Sequence, residues 1–141
     1  MKVVKSIGNY SSKKKSIITI GTFDGIHIGH QEIIKSLVKE SISKNALSLI
    51  LTFFPHPRMV LNKDFSIKLI DTLKEKEKMF EKLGLNTLII QPFTKNFANI
   101  SSHDFTKEIL VKKLNVKKII LGYDHRFGKN RESSVEDLIQ L

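Results

Sequence analysis

Two histidines, His27 and His30, stand three residues apart in the stretch GTFDGIHIGH at residues 21–30. Imidazoles at that spacing can both face one polyphosphate and donate to oxygens whose charge grows as a phosphorus centre reacts. Gly21 and Gly25 allow the backbone to turn closely around an anion. Gly29 does the same at the entrance of the helix that follows, where unpaired N–H groups and the helix dipole favour phosphate. A plainer alternative is a capped turn with surface histidines. A zinc site is a second alternative, but two histidines with no third ligand type beside them make a poor one, and no metal ligands are assigned. Context favours the cradle: G-T-F-D-G precedes the histidines, and the apolar run IITI precedes that.

Two further segments hold residues suited to anionic or flat ligands. In TFFPHPRMV (52–60), Pro55 and Pro57 bracket His56 and fix an extended, rigid turn. Such a wall suits a planar ligand, and Arg58 is placed to hold its phosphate; a Pro-rich surface turn is the alternative. GYDHRFGKNR (122–131) carries Asp124, Arg126 and Arg131. For Asp124 the alternative is a turn-forming aspartate, a role compatible with a site.

These segments need elements to position them. IITIG (17–21), ALSLILTFF (46–54), NTLIIQ (86–91) and VKKIILG (116–122) read as buried strands. Between them, HQEIIKSLVKES (30–41) is amphipathic, with Ile33, Ile34, Leu37 and Val38 at helical spacing. DTLKEKEKMFEKLG (71–84) runs from a candidate N-cap, Asp71, to a stop at Gly84, with Leu73, Met79, Phe80 and Leu83 as its buried stripe. SSHDFTKEILVKKL (101–114) opens with Ser101 three residues before Asp104, a capping-box-like start, and turns Phe105, Ile109 and Leu110 inward. SVEDLIQL (134–141) begins a last helix. Alternating strands and helices of these lengths predict parallel pairing through right-handed crossovers, hence a doubly wound α/β sheet. In such sheets ligands bind at the carboxyl ends of the strands. The three segments follow the first, second and fourth of these strands, so all three are expected on one edge.

Composition narrows the classes. A chain of 141 residues with 40% hydrophobic and 27% charged residues reads as one domain, 1–141, with a real core. No apolar run approaches a membrane span, and the start lacks the apolar region of a secretory signal, so a cytoplasmic protein is expected. Cysteine is absent, which excludes disulfides and thiolate chemistry. The net charge of +10 raises the question of nucleic acid. Only Arg58, Arg126 and Arg131 are arginine, however, and the lysines are spread from Lys2 to Lys129. The KKK at 13–15 reads as a solvated loop. All three arginines lie in or beside the Gly/Pro/His-rich segments, which points to small anionic ligands and to neither nucleic acid nor membrane. Oligomeric state is not legible.

GTFDGIHIGH resembles the H-x-G-H signature of the nucleotidyltransferases, which transfer a nucleotidyl group and release pyrophosphate. Taken with TFFPHPRMV, GYDHRFGKNR and LIIQPFTKNFANISSHDF (88–105), the chain resembles the FMN adenylyltransferase module of the bacterial bifunctional riboflavin kinase/FMN adenylyltransferases. The resemblance implies a Rossmann-like nucleotidyltransferase sheet, with ATP and FMN as substrates, FAD as product and Mg²⁺ accompanying ATP. It implies catalytic roles at the phosphates for His27 and His30, with Gly21, Thr22, Phe23, Asp24, Gly25 and Gly29 as the surrounding loop. Leu121 and Gly122 would lie by the adenine and Arg126 by phosphate. Pro55, His56, Pro57, Arg58 and Asp124 would lie by the flavin. Other readings are a cytidylyl- or adenylyltransferase for another phosphate acceptor, or a non-catalytic nucleotide- or flavin-binding fragment.

Three positions depart from the family pattern. Phe54 stands where an acidic residue often precedes the P-H-P, and His125 stands at a usually aromatic position. The family continues into a Ser-Ser-Thr run with a following arginine and then a riboflavin kinase domain. Here Ser133 and Ser134 are followed by Val-Glu and the chain ends at Leu141. The sequence therefore reads as a domain cut short at its C-terminus, expected to bind nucleotide weakly and to make little FAD alone.

Overall fold

Aliphatic and β-branched runs form five strands: β1 (Lys2–Val4), β2 (Ser16–Ile20), β3 (Leu47–Phe54), β4 (Thr87–Pro92) and β5 (Val116–Ile119). The computed structural model describes residues 1–23, 28–54 and 73–120. All neighbouring strands pair in parallel, in the order β1-β4-β3-β2-β5. Helix α1 (Ile28–Ser43) connects β2 to β3, and α2 (Leu73–Lys82) precedes β4. Between β4 and β5 come a short helix, Lys95–Ala98, a helical turn, Ser102–Asp104, and a π-helical segment, Phe105–Lys113.

Both faces of the sheet are covered, as a doubly wound fold requires. Side chains alternate along each central strand. Ile18, Ile20, Leu49, Leu51 and Ile89 pack on one side with Phe105, Leu110, Leu114 and the N-terminal Ile7 and Tyr10. Ile17, Ile50, Leu88 and Ile90 pack on the other with Ile34, Leu37, Phe23 and Phe80. Thus Ile34 and Leu37 of α1 are fully buried with Val38 packed partly against them, while Ile33 is only half-buried, and Phe80 is the fully buried member of the stripe predicted on α2. Lys13, Lys14 and Lys15 are exposed in a loop.

The ends of the helical segments show why the chain reverses where it does. Asn45, Gly84 and Asn115 take left-handed backbone (φ 51°, 93° and 54°) just before β3, β4 and β5. Glycine and asparagine accept that conformation most readily, so each helical segment stops and its strand begins. Asn86 then pins β3 to β4: its Oδ1 accepts from the Ser48 N–H at 2.8 Å, and its own N–H donates to Ser48 Oγ at 2.9 Å. On the outer side of β2, Lys118 of β5 donates to Glu40 of α1 at 3.0 Å. That hydrogen bond, and then the charge of Lys118, hold the Glu40 carboxyl below the usual range.

Two elements differ from the expectation. β1 was not legible, and it adds a fifth strand beside β4. The helix expected over 101–114 begins as predicted, with Ser101 Oγ accepting from the Asp104 N–H at 3.1 Å, but continues as π-helix. Leu114 N–H donates to Ile109 C=O at 2.9 Å, an i→i+5 bond. That winding sets Phe105 and Leu110, five residues apart, on the same inward side, while Ile109 packs only partly buried against them. Asp71 and the helix expected over 134–141 lie outside the described residues.

The central strand carries the load of both faces. Leu49→Ala, at a fully buried position of β3, is expected to lower unfolding free energy by about 3 kcal/mol. A urea titration followed by circular dichroism would show it as a lower midpoint with an unchanged slope.

Candidate active site

From β2 the chain steps outward to β3 and β4, then returns to place β5 on the other side of β2. The reversal makes a switch point between β2 and β5, and crevices at such points are where open α/β sheets bind ligands. Because β2, β3 and β5 are parallel, the strands leading into all three sequence segments end on this edge.

Of the loop residues singled out in the sequence, Gly21, Thr22, Phe23, Gly29 and His30 fall among the described residues. Gly21 continues the sheet ladder, its N–H donating to Leu51 C=O at 3.0 Å. The chain then turns sharply. Phe23 has φ 53°, a conformation that costs an aromatic residue free energy and persists only where its surroundings enforce it. Its ring folds back over Gly21, so that a Cβ there would lie 3.2 Å from the ring. A side chain at position 21 would thus have to push the ring aside by a few tenths of an ångström. The same ring meets Phe80 edge-on at 5.6 Å and the His30 imidazole edge-on at 5.5 Å. His30 is the third residue of α1, on the turn whose N–H groups point toward the edge.

Two residues that the sequence reading did not single out complete this corner. Lys76, on α2, is only 5% exposed, and its Nζ donates to the Thr22 C=O at 2.9 Å. A signal existed: Leu73, Lys76, Phe80 and Leu83 occupy one helical stripe, and a lysine at such a position has a buried partner to find. Thr52 follows Ile50 on the same face of β3 and is 2% exposed. Its hydroxyl has no hydrogen-bond partner among the described residues. Only the Thr-Phe-Phe context of the P-H-P segment pointed near it.

Asp24, Gly25 and His27 lie outside the described residues, as do Pro55, His56, Pro57 and Arg58, and Leu121, Gly122, Asp124, His125 and Arg126. Phe54, at the departure from the family pattern, ends β3 half-exposed, with its C=O accepting from Phe93 N–H at 3.3 Å. On the opposite face, Phe53, Phe93 and Phe97 pack ring against ring at 5.4–5.9 Å. Among the described residues no group of three or more His, Asp or Glu side chains is placed to hold a metal ion. None of the described helices is long and apolar enough to cross a membrane.

A parallel, doubly wound sheet with a glycine turn and a histidine at its first helix entrance defines a Rossmann-like domain of the nucleotidyltransferase type. Residues 9–141 match the FAD synthetase family, and the chain belongs to it. It is 34% identical to a bifunctional riboflavin kinase/FMN adenylyltransferase of Buchnera aphidicola (Schizaphis graminum), covering all of this chain and 46% of that protein. Proteins of the same name from Escherichia coli K12 and Bacillus subtilis are 31% and 33% identical over 94% and 88% of this chain. The chain spans less than half the length of these relatives. A crystal structure titled macrolide-efflux protein, from Streptococcus pneumoniae, superposes with a TM-score of 0.84 at 27% identity. The match covers 98% of this chain and 45% of that one.

Proposed function

We propose that this chain carries the adenylyl-transfer step that joins ATP and FMN to give FAD and pyrophosphate. The observation that supports this most is the Gly21–His30 corner at the carboxyl edge of β2, within a chain that matches the FAD synthetase family along nearly its whole length. An FMN phosphate oxygen attacks the α-phosphorus of ATP in line, the bond from that phosphorus to the bridging oxygen breaks, and pyrophosphate leaves. No covalent enzyme intermediate is needed, so the protein's part is positioning and charge stabilisation.

In this reading His27 and His30 donate to the phosphate oxygens as charge develops, and the loop of Gly21, Thr22, Phe23, Asp24, Gly25 and Gly29 encloses the triphosphate. Leu121 and Gly122 border the adenine, and Arg126 meets phosphate. Pro55, His56, Pro57, Arg58 and Asp124 form the flavin side. Mg²⁺ offsets triphosphate charge and is carried by phosphate and water, in keeping with that ion's preference, rather than by a protein ligand cluster. The partners are small molecules in a cytoplasmic setting, and the lysines are a dispersed surface charge rather than a nucleic-acid track.

The reaction is tested directly. The chain is incubated with ATP, Mg²⁺ and either FMN or another phosphate acceptor, and FAD and pyrophosphate are followed by chromatography. FAD from FMN is expected, formed slowly by this chain alone; pyrophosphate released only with a different acceptor would replace FMN in the scheme. Binding of both ligands without turnover would instead mark a nucleotide- and flavin-binding module.

In a full-length context His30→Ala is expected to lower the rate of FAD formation about a hundredfold while leaving the fold intact, as loss of one preorganised donor to a transition-state oxygen does elsewhere. Near-normal turnover would remove His30 from the chemistry. Replacing Pro55 and Pro57 together by alanine is expected to weaken FMN more than ATP in separate calorimetric titrations. Equal losses for the two ligands would assign the prolines to the fold.

A further inference from the structure

The left-handed backbone at Phe23 is the outlier of the site. The other positive-φ residues among those described are asparagines and a glycine in helix-to-strand turns at the opposite edge. There the residue type alone accounts for the conformation. An aromatic side chain has no such preference, so something outside the turn must hold Phe23 in place.

That holder is visible on α2. Lys76 and Phe80 are one helical turn apart and share a face, as residues four apart do. Lys76 Nζ grips the carbonyl of Thr22 at 2.9 Å, and Phe80 takes the edge of the Phe23 ring. The peptide between Thr22 and Phe23 is therefore fixed from one end by a hydrogen bond, and the following side chain is fixed by packing. Phe23 in turn touches the imidazole of His30. Burying a lysine is costly unless its polar head is bonded, and a purely structural place on this apolar stripe would be served by leucine or methionine.

We propose that Lys76 is a positioning residue for the adenylyl transfer, acting through Thr22 and Phe23 to set the His30 imidazole against the reacting phosphate. The proposal rests on the adenylyl-transfer reading above and adds to it a residue, on a separate helix, that does not touch the phosphates. It follows that the loop is ordered for catalysis from α2, not only by its own glycines. A misplacement on the scale of one ångström at the catalytic group costs up to about a hundredfold in rate, enough for the tether to matter.

The test uses Lys76→Met, which keeps the length and apolar stem of the side chain and removes the donor. Ring proton signals of His30 are followed by NMR, identified among the five histidines by their absence in His30→Ala. In the parent chain the Phe23 ring, 5.5 Å away, is expected to displace them. Lys76→Met is expected to move them toward the positions of a free imidazole while circular dichroism shows the fold retained. FAD formation is expected to slow roughly tenfold or more, mostly in kcat, with Lys76→Arg recovering most of the rate. In the His30→Ala background Lys76→Met is expected to cause little additional loss, because the two changes act on one event.

Unmoved His30 signals and an unchanged kcat in Lys76→Met would overturn the proposal. So would a further slowing of His30→Ala by the same factor as in the parent chain, since the two residues would then act independently. If Lys76→Met does not fold, Lys76→Leu carries the test, removing the donor while keeping an apolar side chain on the stripe and the Phe23 ring in place. Moved His30 signals and a reduced kcat support the tether, and unchanged values overturn it. Pyrophosphate release only with an acceptor other than FMN would sink the adenylyl-transfer reading, whereas the ring signals decide the tether whether or not FAD forms.

Discussion

Parallel pairing is the constraint from which the site follows. When every strand of a sheet runs the same way, every strand-to-helix turn must emerge at one edge and every return at the other. Segments distant in sequence are thereby brought to a common border without any direct contact between them. Here β2, β3 and β5 all end at that border, and the three segments singled out in the sequence follow them along the chain. The return edge, among the described residues, is built from asparagine and glycine turns.

Much of this was legible from residue types alone. IITI and LSLILTFF announce buried strands by length and branching, and the spacing of Ile33, Ile34, Leu37 and Val38 announces the first crossover helix. The glycines and histidines between them suffice to suggest a phosphate-binding turn. Other features escaped for physical reasons. β1 is three residues long and flanked by charge, so it has no pattern of its own and exists because β4 offers it a backbone to pair with. The π-helical winding of Phe105–Lys113 is a choice made by core packing among side chains that would fit an α-helix equally well in isolation. The backbone of Phe23 is set by neighbours from another element, which no local propensity encodes. Lys76 stood in plain view on the apolar stripe of α2, but a single cation in a lysine-rich chain gives no hint that its partner is a carbonyl 54 residues away.

The corner at Phe23 also shows how a small domain can be rigid where it must be and ordinary elsewhere. Its ring spans the gap between α2 and the entrance of α1, touching Phe80 on one side and His30 on the other. Gly21 lies beneath it, where a larger residue would crowd the ring. Apolar packing thus reaches from the core to the first polar group of the site without an intervening flexible linker. The buried hydroxyl of Thr52, without a hydrogen-bond partner among the described residues, lies on the same face of the sheet.

The docking of the N-terminal residues bears on the order in which the chain can be assembled. Ile7 N–H donates to the side chain of Gln91 at 2.7 Å, across a sequence separation of 84 residues, and Ser16 Oγ donates to Leu114 C=O at 2.8 Å across 98. On a ribosome these partners do not yet exist when the first strand emerges. β2, α1 and β3 can close on one another early, since their contacts span few residues and carry a small loop-closure cost. The amino-terminal segment must wait, uncommitted, until β4 has been made. Residues 1–10 are therefore made well before the strand on which they dock.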